Sequence, residues 1–82
     1  MAKVLHVNSI GNIAEVFTSV DLDSALLHAI KRCAMMGKVN VVGPNAPVFA
    51  SHYDALTAYD VQWRLVPPGC GVTLYVIAED NN

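Results

Sequence analysis

The chain has 82 residues, of which 54% are hydrophobic and only 15% charged, with a formal net charge of −2. That length supports one domain, residues 1–82 with a frayed polar tail at 79–82, and a thin stability margin. The five cations, Lys3, Lys31, Arg32, Lys38 and Arg64, are too scattered to form a basic stripe, so nucleic acid is not expected as the main target.

Residues 3–20 read as a hairpin. KVLHVNSI and IAEVFTSV are rich in β-branched residues, and Gly11-Asn12 between them is a favoured two-residue turn. Closing that turn sets Val7 opposite Val16 and Leu5 opposite Thr18. The other face then holds Val4, His6, Phe17, Ile10 and Ile13, so neither face is cleanly polar.

Asp21 to Gly37 carries the signals of a well-terminated helix. Asp21 can accept a first-turn N–H, and Asp23 adds negative charge where the helix dipole is positive. Val20 is placed to staple onto Ala25. Leu22, Leu26, Ala29, Ile30 and Cys33 form one apolar stripe, with His28, Lys31, Arg32 and Met35 mainly outside it. Gly37 can take the left-handed conformation that ends helices.

KVNVVG, residues 38–43, reads as a short buried strand, and strand–helix–strand order favours a parallel crossover if both strands share a sheet. Gly43, Pro44 and Pro47 then break the chain. Ser51 and Asp54 have cap spacing for a second, shorter helix carrying Tyr53, Leu56 and Tyr59. VQWRLV and GVTLYVIAE form a closing hairpin around Pro67-Pro68-Gly69-Cys70. Pairing Val66 with Gly71 sets Leu65 against Val72, Trp63 against Leu74 and Val61 against Val76, an apolar face that must be core. Arg64, Gln62, Tyr75 and Ile77 fall on the outer face.

The order is therefore ββαβαββ. The expected fold is α+β, a two-layer sandwich with an about five-stranded mixed sheet and both helices on one face.

Chemistry-bearing residues are sparse. His6, His28 and His52 have no metal-ligand spacing among themselves or with the cysteines, so no metal or other cofactor is expected. Cys33 reads as a small core residue and Cys70 as an exposed turn residue without a local base to activate it. Ser51, His52 and Asp54 are triad types, but neighbours in one helical turn cannot align as nucleophile, base and orienter. No phosphate loop or nucleophile elbow is present, and no enzyme activity is expected. No run of about 18 apolar residues is present to span a membrane. A single Lys followed by polar residues by Asn8 does not make a signal peptide. Two cysteines are too few for a disulfide framework, which points to a reduced, cytoplasmic setting.

The charge fraction, well under a usual ~25%, suggests that another chain covers part of the apolar surface. The expected function is a non-enzymatic protein-binding domain. It would be a small inhibitor or accessory protein of the phage or mobile-element type, docking on a larger protein or pairing as a homodimer. Its expected contact residues are Tyr75, Arg64 and Gln62 on the outer face of the second hairpin, with Phe17 and His6 on the first. The alternative is a small-ligand-binding or enzymatic subunit with its site at a homo-oligomer interface near the Pro44–Ser51 loop, using Asn45 and Ser51. Against that stands the ordinary reading of the loop as a connection stiffened by two prolines.

Overall fold

The computed structural model describes residues 1–34, 38–69 and 71–79. The proposed helix stop at Gly37, Met35, Cys70 and the last tail residues therefore lie outside the described residues. The elements are β1 (Ala2–Val7), β2 (Ile13–Ser19), α1 (Leu22–Ala34), β3 (Asn40–Val42), a 3-10 turn (Ala50–His52), α2 (Tyr53–Leu56), β4 (Asp60–Val66) and β5 (Thr73–Ala78). The chain has the α+β class, five strands and the ββαβαββ order that its patterning implies.

The sheet order is β2-β1-β5-β4-β3, and every neighbouring pair is antiparallel. The sheet is thus antiparallel throughout, not mixed. β2 and β3 do share a sheet, but they form its two opposite edges, so α1 crosses the whole sheet between them. β5 lies at the centre, and its inner residues alternate between two buried faces. Leu74 and Val76 join Ala2, Val4 and Leu65 beneath the Ala25, Ala29 and Cys33 stripe of α1. Tyr75 and Ile77 join Leu5, Val7 and Leu56 on the other face. The two helices therefore cover opposite faces, and the molecule has three layers where two were expected. The cause is physical: leaving Leu5, Val7, Tyr75 and Ile77 in water would cost roughly 1.5–3 kcal/mol per large side chain, so the second helical segment is drawn onto them.

The hairpin registers also differ from the simplest closure. In the first, Val7 pairs with Ile13 and Leu5 with Glu15, and a shift between Val4 and Leu5 puts Val4 opposite Phe17 and Lys3 opposite Thr18. Asn8 replaces the two-residue turn with a wider loop. Its Oδ1 accepts the N–H groups of Ile10 (3.1 Å) and Asn12 (3.0 Å), and its backbone pairs with Asn12 and Gly11, a local competition typical of Asn. In the second hairpin the loop is longer, so Leu65 pairs with Leu74, Arg64 with Tyr75 and Trp63 with Val76. This slip of two residues preserves which face each residue occupies. A second irregularity between Val61 and Trp63 turns Val61 to the α2 face, opposite Ile77.

Helix α1 begins as its sequence dictates. Asp21 Oδ1 accepts the Ser24 N–H at 2.7 Å, and Oδ2 accepts the Ser24 hydroxyl at 3.0 Å. Val20, however, does not staple onto the helix; it is 82% exposed. The second helix is shorter than its spacing suggested. Neither the 3-10 turn nor α2 has a side-chain cap bond, so Ser51 and Asp54 do not form a capping box.

The Ser24 backbone N–H, and then its hydroxyl, hold the Asp21 carboxyl below the usual carboxylate range. A lowered folded value means that the ionised cap stabilises the fold above the unfolded value of about pH 4, and that this contribution is lost as pH falls through the folded value. Wild-type melting temperature is expected to drop more steeply below about pH 4 than that of Asp21→Asn, which keeps the cap acceptor without titrating. Thermal melts followed by circular dichroism would read this; parallel slopes would remove Asp21 from the pH response.

Candidate functional site

The segment between β3 and β4 decides which surfaces are free. It leaves β3 through Gly43, the cis Gly43–Pro44 bond and Asn45, whose φ is 60°. A Cβ at Gly43 would sit 2.5 Å from the Trp63 ring and 2.6 Å from the Gln62 carbonyl oxygen. Close packing on β4 therefore explains this glycine without invoking an anion. Beyond it, the segment is tied down at successive points. The Ala46 N–H donates to the Gln62 carbonyl (3.2 Å). Arg64 Nη1 donates to the Pro47 carbonyl (2.7 Å), and its guanidinium lies 4.1 Å above the Phe49 ring. The Phe49 N–H donates to the Tyr75 hydroxyl oxygen (3.2 Å), and that hydroxyl lies 2.8 Å from His52 Nδ1. Having accepted from Phe49, the hydroxyl can give its own proton to Nδ1, with the His52 ring proton then on Nε2.

These bonds correct the expected contact surface. Tyr75 is 0% exposed, and together with Arg64 it secures the covering segment. Gln62 is half-buried at the β4 irregularity, where its Nε2 donates to Asp60 Oδ1 (2.9 Å). Phe17 and His6 are both half-buried on the α1 face, and Phe17 stacks on His28 with ring centroids 3.9 Å apart at 7°. His28 Nε2 is buried beside it without a hydrogen-bond partner among the described residues. Asn45 and Ser51 are both exposed.

A cleft of about 630 Å³ opens elsewhere, at the end of the sheet where β1 and β4 start and β5 finishes. Its wall includes Met1, Val20, Leu22, Tyr59, Asp60 and Glu79; neither Asn45 nor Ser51 contributes. The Glu79 N–H donates to the Met1 carbonyl at 2.7 Å, closing the floor between β1 and β5. At the rim, Lys3 Nζ bonds Glu79 Oε2 at 2.9 Å and lies 3.4 Å from Glu15. The Glu79 hydrogen bond, foremost, raises the Lys3 pKa above its ordinary value.

Met1, Val20 and Tyr59 are 49%, 82% and 40% exposed, and they are three of the eight large apolar residues exposed among the described residues. The sequence pattern placed Val20 before the helix cap, stapling onto Ala25, and Tyr59 on the second helix with Tyr53 and Leu56. The available signal was weak: Val20 precedes the cap and falls outside the stripe. Among the described residues, no group of three His, Cys, Asp or Glu side chains is placed to hold a metal ion, and no helix is long and apolar enough to cross a membrane. The chain matches no protein-family profile, no curated protein and no solved structure.

Tyr75→Phe removes the acceptor of the Phe49 N–H and the partner of His52. The expected cost is about 1–3 kcal/mol, because both groups lose a partner in a covered site. Burial, foremost, pushes the Tyr75 hydroxyl above its usual pKa, partly offset by the Phe49 hydrogen bond. A raised folded value makes that contribution fully present below about pH 10, and it is lost as pH rises through the folded value. Denaturant titrations should therefore show wild type losing stability at strongly alkaline pH more steeply than Tyr75→Phe. An unchanged midpoint at neutral pH would contradict the role given to this hydroxyl.

Proposed function

We propose that the chain is a non-enzymatic protein-binding domain that docks on a larger protein through the cleft bounded by Met1, Val20 and Tyr59, acting as a small accessory or inhibitory subunit. The observation that supports this reading is the gathering of those three exposed apolar side chains around one concave surface, in a chain with few charges. Apolar residues scattered singly over a surface need no explanation; several around one concavity fit a docking site. Tyr59 is of a residue type enriched at binding hot spots. Glu79 at the rim is already paired with Lys3 at 2.9 Å, so the fit to a partner rests on the apolar anchors and not on the rim charges.

The test is comparative capture from lysate of the source cell. Wild type is expected to retain a stoichiometric larger protein that Tyr59→Asp loses and Leu27→Asp keeps, since Leu27 is apolar and exposed on α1 but does not line the cleft. Equal retention by both variants would move the docking site off the cleft. Absence of any partner of wild type would sink the reading itself.

A further inference from the structure

The two edges of the sheet are unequal. β3 offers three residues, whereas β2 offers seven, Ile13–Ser19, and among the described residues its outer side is paired with no strand. Edge strands are usually guarded by lysine, proline or short length. β2 contains no lysine or proline, and its one charge, Glu15, lies 3.4 Å from Lys3. Its one guard is the irregularity at Val16.

We infer that β2 is a self-association edge, on which β2 of a second copy pairs antiparallel about a two-fold axis normal to the sheet. The pleat limits the register, because residues facing each other across a seam must share a face. Ile13, Glu15 and Thr18 occupy the α2 face, opposite Val7, Leu5 and Lys3 of β1. Ala14, Phe17 and Ser19 occupy the α1 face, opposite His6, Val4 and Ala2, and Val16 packs there too. Pairing Ala14 with Ser19, Glu15 with Thr18 and Val16 with Phe17, and the reverse, keeps every face matched across the irregularity.

That register is also chemically self-complementary. Apolar Val16 meets apolar Phe17, small Ala14 meets small Ser19, and each Glu15 meets a hydroxyl instead of the other Glu15. Just beyond, Ile13 of one copy falls beside Val20 of the other, the most exposed large apolar residue of its end of the sheet. A single strand seam about 20 Å long is a small contact beside standard stable interfaces, which bury roughly 1,200 Å² or more, so the dimer forms in a concentration-dependent way. It joins two five-stranded sheets into one, with both copies of α1 on the same side.

Thr18 supplies a test in which the seam responds to an introduced charge while the fold's own charges there offset each other. Within one chain, Thr18 sits opposite Lys3 and its hydroxyl donates to Glu15 Oε1 (3.1 Å), so an introduced charge meets one group of each sign and the intrachain effects offset each other. Across the seam, Thr18 faces the other copy's Glu15, so the lysine attracts and the carboxylate repels, twice per dimer. Sedimentation equilibrium of the full chain from about 1 µM to about 1 mM should show wild type passing from monomer to dimer. Thr18→Glu should raise the dissociation constant roughly fivefold to tenfold and Thr18→Lys should lower it by a similar factor. Thermal melts of both variants check that each remains folded. Monomer at every concentration would overturn the inference. So would a dimer indifferent to both changes, or one that both changes weaken.

Discussion

β5 imposes the constraint on which the rest of the structure depends. Leu74, Tyr75, Val76 and Ile77 are each at most 1% exposed, yet they point alternately to opposite faces of the sheet. A strand buried on both faces must lie centrally and must be covered twice. One long helix, α1, packs across β2, β1, β5 and β4 and covers one side. The described residues form no second long helix, so the other side is closed by a 3-10 turn, a single turn of α-helix and the loop before them. That thin cover is held by directional contacts as well as by Leu56: Arg64 to Pro47, Ala46 to Gln62, and Phe49 and His52 to the Tyr75 hydroxyl.

The thinness of the cover has a consequence at the sheet end. The α2 segment stops at Leu56, and Tyr59 and Asp60 are already the approach to β4. α1 begins only at Leu22, after the exposed Val20. Neither layer reaches the corner where β1 and β4 begin, and the cleft is the space left between them. Its apolar rim is thus a product of the layering: two covers of limited length on a sheet whose central strands are apolar to their ends.

Much of this architecture was legible because it is encoded locally. Asp21 caps α1 through a bond to Ser24 that needs no tertiary context, and the stripe through Ala29 and Cys33 faces the core. The alternation in VQWRLV and TLYVIA placed Trp63, Leu65, Leu74 and Val76 together even though the actual register is offset by two, since an even slip leaves faces unchanged. What alternation cannot encode is whether a face is covered. Tyr75 and Arg64 lie on the face away from Trp63, as their alternation implies, but they are covered, because nothing in their pattern announces that residues 46–56 fold back over them. The irregularities at Val16 and Gln62 escaped for a related reason: each inserts one residue into an otherwise plausible strand, and only the neighbouring strands reveal it.

The two proposed contact surfaces are not independent in space. Val20 ends the β2 seam and also lines the cleft. Pairing of a second copy along β2 brings Ile13 against Val20 and so removes part of the cleft's apolar rim from solvent. A partner using that rim would then bind the monomer and the dimer with different affinities, and linkage requires the effect to be reciprocal: whatever dimerisation does to docking, docking does to dimerisation by the same factor. A chain with only 15% charged residues has little like-charge repulsion to keep its exposed apolar edges apart. If the partner seats on Val20, its presence favours monomers, and the β2 edge becomes the surface that the free protein uses when the partner is scarce. If the partner anchors on Tyr59 alone, a two-fold dimer presents two clefts, and avidity for a repeated partner follows from the same geometry.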